Sequence, residues 1–321
     1  MSTTDPAAAP GRLPATLVER ILQVVALSAL AVLALITLFI FREGTPLLVR
    51  VGIGNFLLGT DWQPLAGRFG VLPMIAGTAA VTLGALLLGL PLALSCSIVL
   101  AELAPRRARA VLRPAIELLT GLPSVVYGFV GLVVVVPWIR QHLGGPGWSV
   151  LAGAVILGIM ILPTVIGVSV DALEAVPQGY RDASLALGAT RFQAIHRVVL
   201  PAARSGLVAA LVLGVGRAVG ETMAVIMVVG NAVRVPRSPL DPARTLTANI
   251  ALEMGGASGD HAAALFATAI VLFVALLGIS ALAYVARRPA GAPGTGLSEG
   301  LRRLLSPRRP DAPPPSPPGG A

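Results

Sequence analysis

Long stretches without a charged side chain decide what this chain can fold into. Residues 21–41 form one such run. Others lie at about 73–101, 115–136, 150–170, 207–229 and 262–286; the third is interrupted only by Glu117 and the fifth only by Arg217 and Glu221. A bilayer core about 30 Å thick is crossed by roughly 20 apolar residues in a helix. Only 12% of the residues are charged, where a soluble domain has about a quarter. The expected fold is all-α: a polytopic membrane protein with six transmembrane helices. The first run exceeds the apolar region of about 7–15 residues in a cleaved signal peptide, so it reads as a retained helix.

The charges collect between the runs. Residues 1–18 and the Pro/Gly/Arg-rich stretch 288–321 read as disordered tails around a six-span domain at 19–287. Within that domain, 42–72 and 231–261 are expected to be polar connections, 102–114 a short basic loop, 138–149 a Gly/Pro turn and 173–205 a basic hairpin. All 24 basic residues counted as Lys+Arg are arginines. If the tails, the 102–114 loop and the hairpin share one side of the membrane, that side holds 16 arginines, the other connections hold 7, and Arg217 lies within a span. The positive-inside rule then places both termini and the hairpin in the cytoplasm. The same distribution accounts for the net charge of +9 without nucleic acid.

The hairpin "YRDASLALGATRFQAIHRVVLPAA" (180–203) reads as two short helices. Asp182 sits near the start of the first, where the helix dipole favours an acid. Gly188 can take a positive φ and end that helix. Thr190 can cap the second, and Pro201 is expected to break the pattern before the chain re-enters the membrane. An interfacial amphipathic hairpin and a docking knob both fit these features.

The spacing of Asp182-Ala183-Ser184, Gly188, Val198, Leu200 and Pro201 resembles the EAA loop of membrane subunits of ATP-binding-cassette importers, with Asp for Glu, Ser for Ala and Val for Ile. Four segments together resemble the PstC-type permease family of phosphate importers: "GTDWQPLAGRFGVLPMIAGT" (59–78), "ELLTGLPSVVYGFVGL" (117–132), "LALGATRFQAIHRVVLPAARSG" (185–206) and "GRAVGETMAVIMVVGN" (216–231). The likeness spans about residues 20–287. It implies a type I importer permease fold in the inner membrane. It also implies that Asp182, Ala183, Gly188, Ala189, Thr190, Leu200 and Pro201 couple to a cytoplasmic ATPase. The implied partners are a second, PstA-like permease subunit, a PstB-like ATPase dimer and a PstS-like extracytoplasmic phosphate-binding protein on the 42–72 and 231–261 connections.

Arg217 and Glu221 stand four apart, on one face of a continuous helix, where they can pair. An ionisable group at the bilayer centre costs at least about 2.5–3.5 kcal/mol and should face a cavity or a partner. Glu117 on the third span is the natural third member. A structural salt bridge and an anion path lined by all three are both consistent with this arrangement. The resemblance assigns the arginine and glutamate to the phosphate path. Thr222 and Asn231 supply further donors suited to phosphate, though such groups also hold helices together. Leu122-Pro123-Ser124 marks either a pore-lining break or a plain kink. Trp62 and Trp148 read as interfacial anchors.

Without lysine the chain lacks the P-loop residue that reaches the β/γ-phosphates, so hydrolysis must come from a partner. His142, His196 and His261 have no companions at ligand spacing, and Cys96 stands alone in an apolar run, so neither a metal nor another cofactor is expected. Neither G-x-S-x-G nor H-E-x-x-H occurs, which leaves no hydrolase motif. The reading is a phosphate importer permease rather than an enzyme. A permease for sulfate or molybdate is the near alternative, and an ion-driven secondary carrier the distant one. No clear internal repeat supports the carrier.

Overall fold

The computed structural model describes residues 15–286, with side chains from 19 to 285. The expected tails fall largely outside these residues, although helix already begins at Ala15. Six helical segments are long and apolar enough to cross a membrane among the described residues: Glu19–Val51, Leu72–Leu103, Ser124–His142, Val150–Glu174, Arg191–Gly220 and Asp260–Val285. They answer the six expected spans in order.

Helix α1 (Ala15–Val51) runs further than expected, so the first polar connection shrinks to residues 52–71. That connection holds α2 (Ile53–Leu58) and a two-stranded antiparallel hairpin, β1 (Trp62–Gln63) and β2 (Arg68–Phe69). Helix α3 (Leu72–Ile98) continues through a π turn to Leu103. Helix α4 (Arg106–Thr120) is followed by a break, then α5 (Ser124–Val130), a π turn and α6 (Val136–His142). Helix α7 is Val150–Glu174, and the hairpin comprises α8 (Gln178–Ala186) and α9 (Arg191–Ala194). Helix α10 (Leu200–Gly220) and the short α11 (Met223–Val228) follow, then α12 (Leu246–Glu253) and α13 (Asp260–Ala286).

Pro201, expected to break the pattern, does not, and Pro137 is accommodated in the same way. Pro201 lies just inside α10, and Pro137 just inside α6. Each follows a π turn, in which Leu200 N–H donates to the Ile195 carbonyl and Val136 N–H to the Gly131 carbonyl. The wider turn resets the hydrogen-bond ladder before the residue that cannot donate, so α9 and α10 run as one 30-residue span.

Helix α7 is the hub. Ile156, Leu157 and Met160 pack with Val81 and Ala85 of α3 and Val225 and Val228 of α11, while Ile161 and Val165 join Ala93 and Ala210. Small residues let α3 and α7 approach closely: a Cβ on Gly89 would stand 2.6 Å from the Gly158 carbonyl oxygen. Helices α1 and α13 form a flanking pair, joined by edge-on contact of Phe39 with Phe266 and by an Arg50–Asp260 ion pair at 2.8 Å. The bundle thus has one end bearing α4, α8 and α9, and an opposite end bearing the β-hairpin and α12.

Candidate functional site

At the hairpin end, the local expectations hold. Gly188 has φ +84°, and no atom stands within 4 Å of where its Cβ would be, so the glycine answers to backbone conformation alone. Thr190 Oγ1 accepts the Gln193 N–H at 3.3 Å, while Gln193 Oε1 accepts the Thr190 N–H at 2.9 Å, completing a capping box. Asp182 accepts from Gln178 at 3.2 Å. Ala183 N-terminally and Ala189 C-terminally frame the bend: the Ala183 carbonyl accepts the Leu187 N–H and Ala189 N–H donates to the Ser184 carbonyl. Leu187 (89% exposed) and Phe192 (75%) leave the tip apolar and uncovered. Leu200 and Pro201 lie beyond it, within the continuous helix.

A rigid mount holds this knob. Arg181 of α8 donates to both oxygens of Glu102, which closes the π turn after α3, and also to the Leu173 and Val176 carbonyls at the end of α7. The Glu102 bond raises the Arg181 guanidinium above its ordinary value, against the opposing effect of burial. Nearby, Arg109 pairs with Glu174 at 2.9 Å, and Arg113 contacts Glu117, Asp171 and Glu174. A cavity of about 480 Å³ lies between these pairs and the hairpin, with Arg191 and Gln178 on its wall. Sequence reasoning missed Glu102, Arg181, Arg109 and Asp171; a basic loop beside a basic hairpin was visible, but not the acids that clamp them together.

Glu117 requires correction. It does not lie in the third span: α4 ends at Thr120 and the span starts at Ser124. Its carboxylate is 67% exposed and pairs with Arg113 one turn away, 3.3 Å apart. Helix α4 carries Arg106, Arg109, Arg113 and Glu117 at helical spacing, so it is a surface helix clamped to α7. The sequence 121–123 is a true break. Tyr127 bridges it, its hydroxyl donating to the Leu119 carbonyl at 2.9 Å.

The pairing of Arg217 with Glu221 is also corrected. Helix α10 ends at Gly220, and Glu221 is extended at φ −71°, ψ 131°. The two residues therefore no longer share a helical face. The Glu221 carboxylate instead turns forward and accepts the Ala224 N–H at 3.2 Å, near the N-terminus of α11. Among the described residues Arg217 has no ion-pair partner, and its Nε is buried without a hydrogen bond. The two broken segments meet because α5 and α11 pack closely: a Cβ on Gly128 would stand 2.9 Å from the Ala224 Cα. Thr222 is half-buried at the break; its hydroxyl makes a 3.4 Å contact to the Gly220 carbonyl, and its own carbonyl accepts the Ile226 N–H at 3.0 Å. Asn231, at φ 54°, donates to the Ile226 carbonyl at 2.7 Å, so its amide donor closes the end of α11.

The family of binding-protein-dependent transport system inner membrane components matches residues 89–291, from mid-α3 through the last span. The chain belongs to that family. A probable ABC transporter permease protein, YqgH of Bacillus subtilis, is 46% identical over 235 residues, covering 72% of this chain and 76% of the relative. The phosphate transport system permease protein PstC of Mesorhizobium japonicum is 36% identical over 250 residues, covering 71% and 76%. Two solved structures share the fold. The inward-facing methionine transporter MetNI aligns with TM-score 0.52 at 24% identity, over 71% of this chain and 98% of that one. A bacterial alginate ABC transporter aligns with TM-score 0.54 at 18% identity, over 83% and 94%. The protein is a multi-pass inner-membrane permease of the type I importer fold. It is not itself an enzyme; the ATPase is a separate subunit, and membership of this family implies that subunit and a substrate-binding protein as partners.

The end opposite the hairpin joins distant segments. Glu253 of α12 accepts from Trp62 Nε1 at 2.8 Å and Arg244 at 2.5 Å, and stands 2.9 Å from His261 Nε2. Trp62 is thus buried in a polar clasp rather than anchored at a lipid interface. Burial works to raise the Glu253 carboxyl, but the bonds from Trp62, His261 and Arg244 outweigh it and hold the group below its ordinary value.

Proposed function

We propose that this permease carries inorganic phosphate inward, driven by ATP hydrolysis on its partner subunits. The observation that carries the reading is Arg217, an arginine without an ion-pair partner among the described residues and with a buried Nε, in the last turn of α10 before the break in the membrane bundle. A cation with no counter-charge among the described residues suits a transient anion, and the helix break at Glu221–Thr222 supplies polar groups close to it in the chain. The phosphate permease named among the relatives supports the choice of anion. Glu221 and Thr222 complete the central step. Glu117 stands at the hairpin-end mouth, and Asn231 shapes the opposite one.

The eight arginines that segments 102–114 and 173–205 bring to the hairpin end support a cytoplasmic location for that end and, with six spans, for both termini. There the uncovered tip formed by Leu187 and Phe192 would seat a PstB-like ATPase dimer, while Arg181 and Glu102 pass its motion to α3 and α7. A PstA-like second subunit would close the path, and a PstS-like phosphate-binding protein would dock over the β-hairpin and α12. Moving a dianion against a negative-inside potential costs about 2.3 kcal/mol per charge per 100 mV, which explains the need for ATP.

Radiolabelled phosphate uptake by proteoliposomes holding the complete complex tests the reading. ATP-dependent uptake that excess sulfate or molybdate leaves intact is expected. Uptake of those oxyanions in place of phosphate, or uptake driven by an ion gradient without ATP, would overturn it.

A further inference from the structure

Helix α12 and the residues leading into it hold the α11 segment from both sides. Ahead of α11, Thr247 Oγ1 donates to the Glu221 carbonyl at 2.9 Å; behind it, Arg244 Nε donates to the Asn231 carbonyl at 3.0 Å. The donor directions follow from the proton count. Thr247 has one hydroxyl proton, directed at Glu221, so Thr245 at 3.1 Å must donate to Thr247. Thr245 in turn accepts the Ala248 N–H as the N-cap of α12. A one-way chain therefore runs from the α12 backbone through two buried threonines to the residue where α10 stops.

Glu221 is held twice, its carbonyl by Thr247 and its carboxylate by the Ala224 N–H. The first bond comes from an element 26 residues away, the second from the local turn. At its other end α12 is fastened through Glu253 to Trp62 on β1 and to His261 at the start of α13. A shift of the β-hairpin would therefore pull on α12, and α12 on Glu221.

We propose that Thr247 is a positioning residue for Glu221, and that α12 is a strap relaying movement of the Trp62 hairpin to the helix break in the path. The proposal rests on the reading that Glu221 lines that path. A part-buried carbonyl that loses its donor reorients toward another partner, and here that rotation carries the adjoining carboxylate with it.

The test compares Thr247→Val, Thr247→Ser and Trp62→Phe in the complete reconstituted importer, following initial rates of phosphate uptake against binding-protein concentration. Thr247→Val keeps the shape and removes the donor, so turnover should fall about tenfold, the effect of one buried hydrogen bond. Thr247→Ser should restore most of it. Trp62→Phe should lower uptake too, and the double variant Trp62→Phe/Thr247→Val should lose less than the product of the two single losses, because both cut one relay. Equal rates for Thr247→Val and Thr247→Ser, or multiplicative losses in the double variant, would overturn the proposal. If Thr247→Val fails to assemble, Thr247→Ala, which also removes the donor, takes its place in the cycle with Trp62→Phe, multiplicative losses again counting against the relay. A wild-type complex that moves no phosphate with ATP would instead refute the transport reading on which the relay stands.

Discussion

Arg181 donates to Glu102 through both Nε and a terminal nitrogen, at 3.1 and 2.6 Å, and this one bidentate pair joins the hairpin to the end of α3. The side chains are 14% and 9% exposed, so removing one partner strands a desolvated charge. Glu102→Gln should cost about 3–5 kcal/mol, read as a lower thermal midpoint in detergent. Arg113 touches three carboxylates but is 44% exposed, and Arg113→Ala should cost no more than about 1 kcal/mol for the lost ion pairs. Equal losses from the two variants would mean that burial does not set the strength of the mount.

The clasp around Glu253 predicts an acid limit confined to one end of the bundle. Because its folded carboxyl lies below the ordinary value of 4.5, its stabilising contribution is fully present above that pH and is lost as pH falls through the depressed folded value. Hydrogen exchange of residues 59–70 should stay slow down to about pH 5 and accelerate below it, after correction for the intrinsic rate. In Glu253→Gln the acid-dependent acceleration should disappear. An unchanged acid profile in that variant would place the sensitive group elsewhere.

Gly188 offers a purely conformational probe. Its φ of +84° disfavours any side chain, yet open space surrounds it, so Gly188→Ala introduces strain without a clash. The cost should be about 1–2 kcal/mol, borne by the bend between α8 and α9. Transport per ATP hydrolysed should fall in the complete complex, while Leu187→Ser, which alters the uncovered tip and not the bend, should weaken co-purification of the ATPase. If Gly188→Ala transports and couples as wild type does, the bend has no mechanical role.

How much of this was legible beforehand follows from the range of each interaction. The spans were legible because twenty uncharged residues in a row admit few other fates, and the Gly188 bend and Thr190 cap because both depend on neighbours within a few positions. Glu117 was misplaced because residues 115–136 read as one apolar run; the four charges at helical spacing from Arg106 to Glu117 carried the signal for a surface helix, and Pro123 carried the break. The pairing of Arg217 with Glu221 presumed a helix that stops at Gly220. The clasp of Trp62 and Glu253 joins residues 191 apart, a distance over which no periodicity or spacing rule operates.

Arg217 separates structural glue from a working site by the sign of a stability change. Were it a member of a salt bridge between spans, replacing it with an uncharged chain of similar length would leave a carboxylate stranded and weaken the fold. The structure instead leaves its Nε buried and unpartnered, so among the described residues the charge is uncompensated, and insertion of such a group costs at least about 2.5–3.5 kcal/mol. Arg217→Met should therefore preserve or raise the thermal midpoint of the detergent-solubilised permease while lowering phosphate uptake by at least about tenfold. Arg217→Lys keeps the charge but lacks the planar fork that meets an oxyanion through two bonds, so its uptake should fall between the two. A fold weakened by Arg217→Met with transport per assembled complex unchanged would return the residue to a structural role.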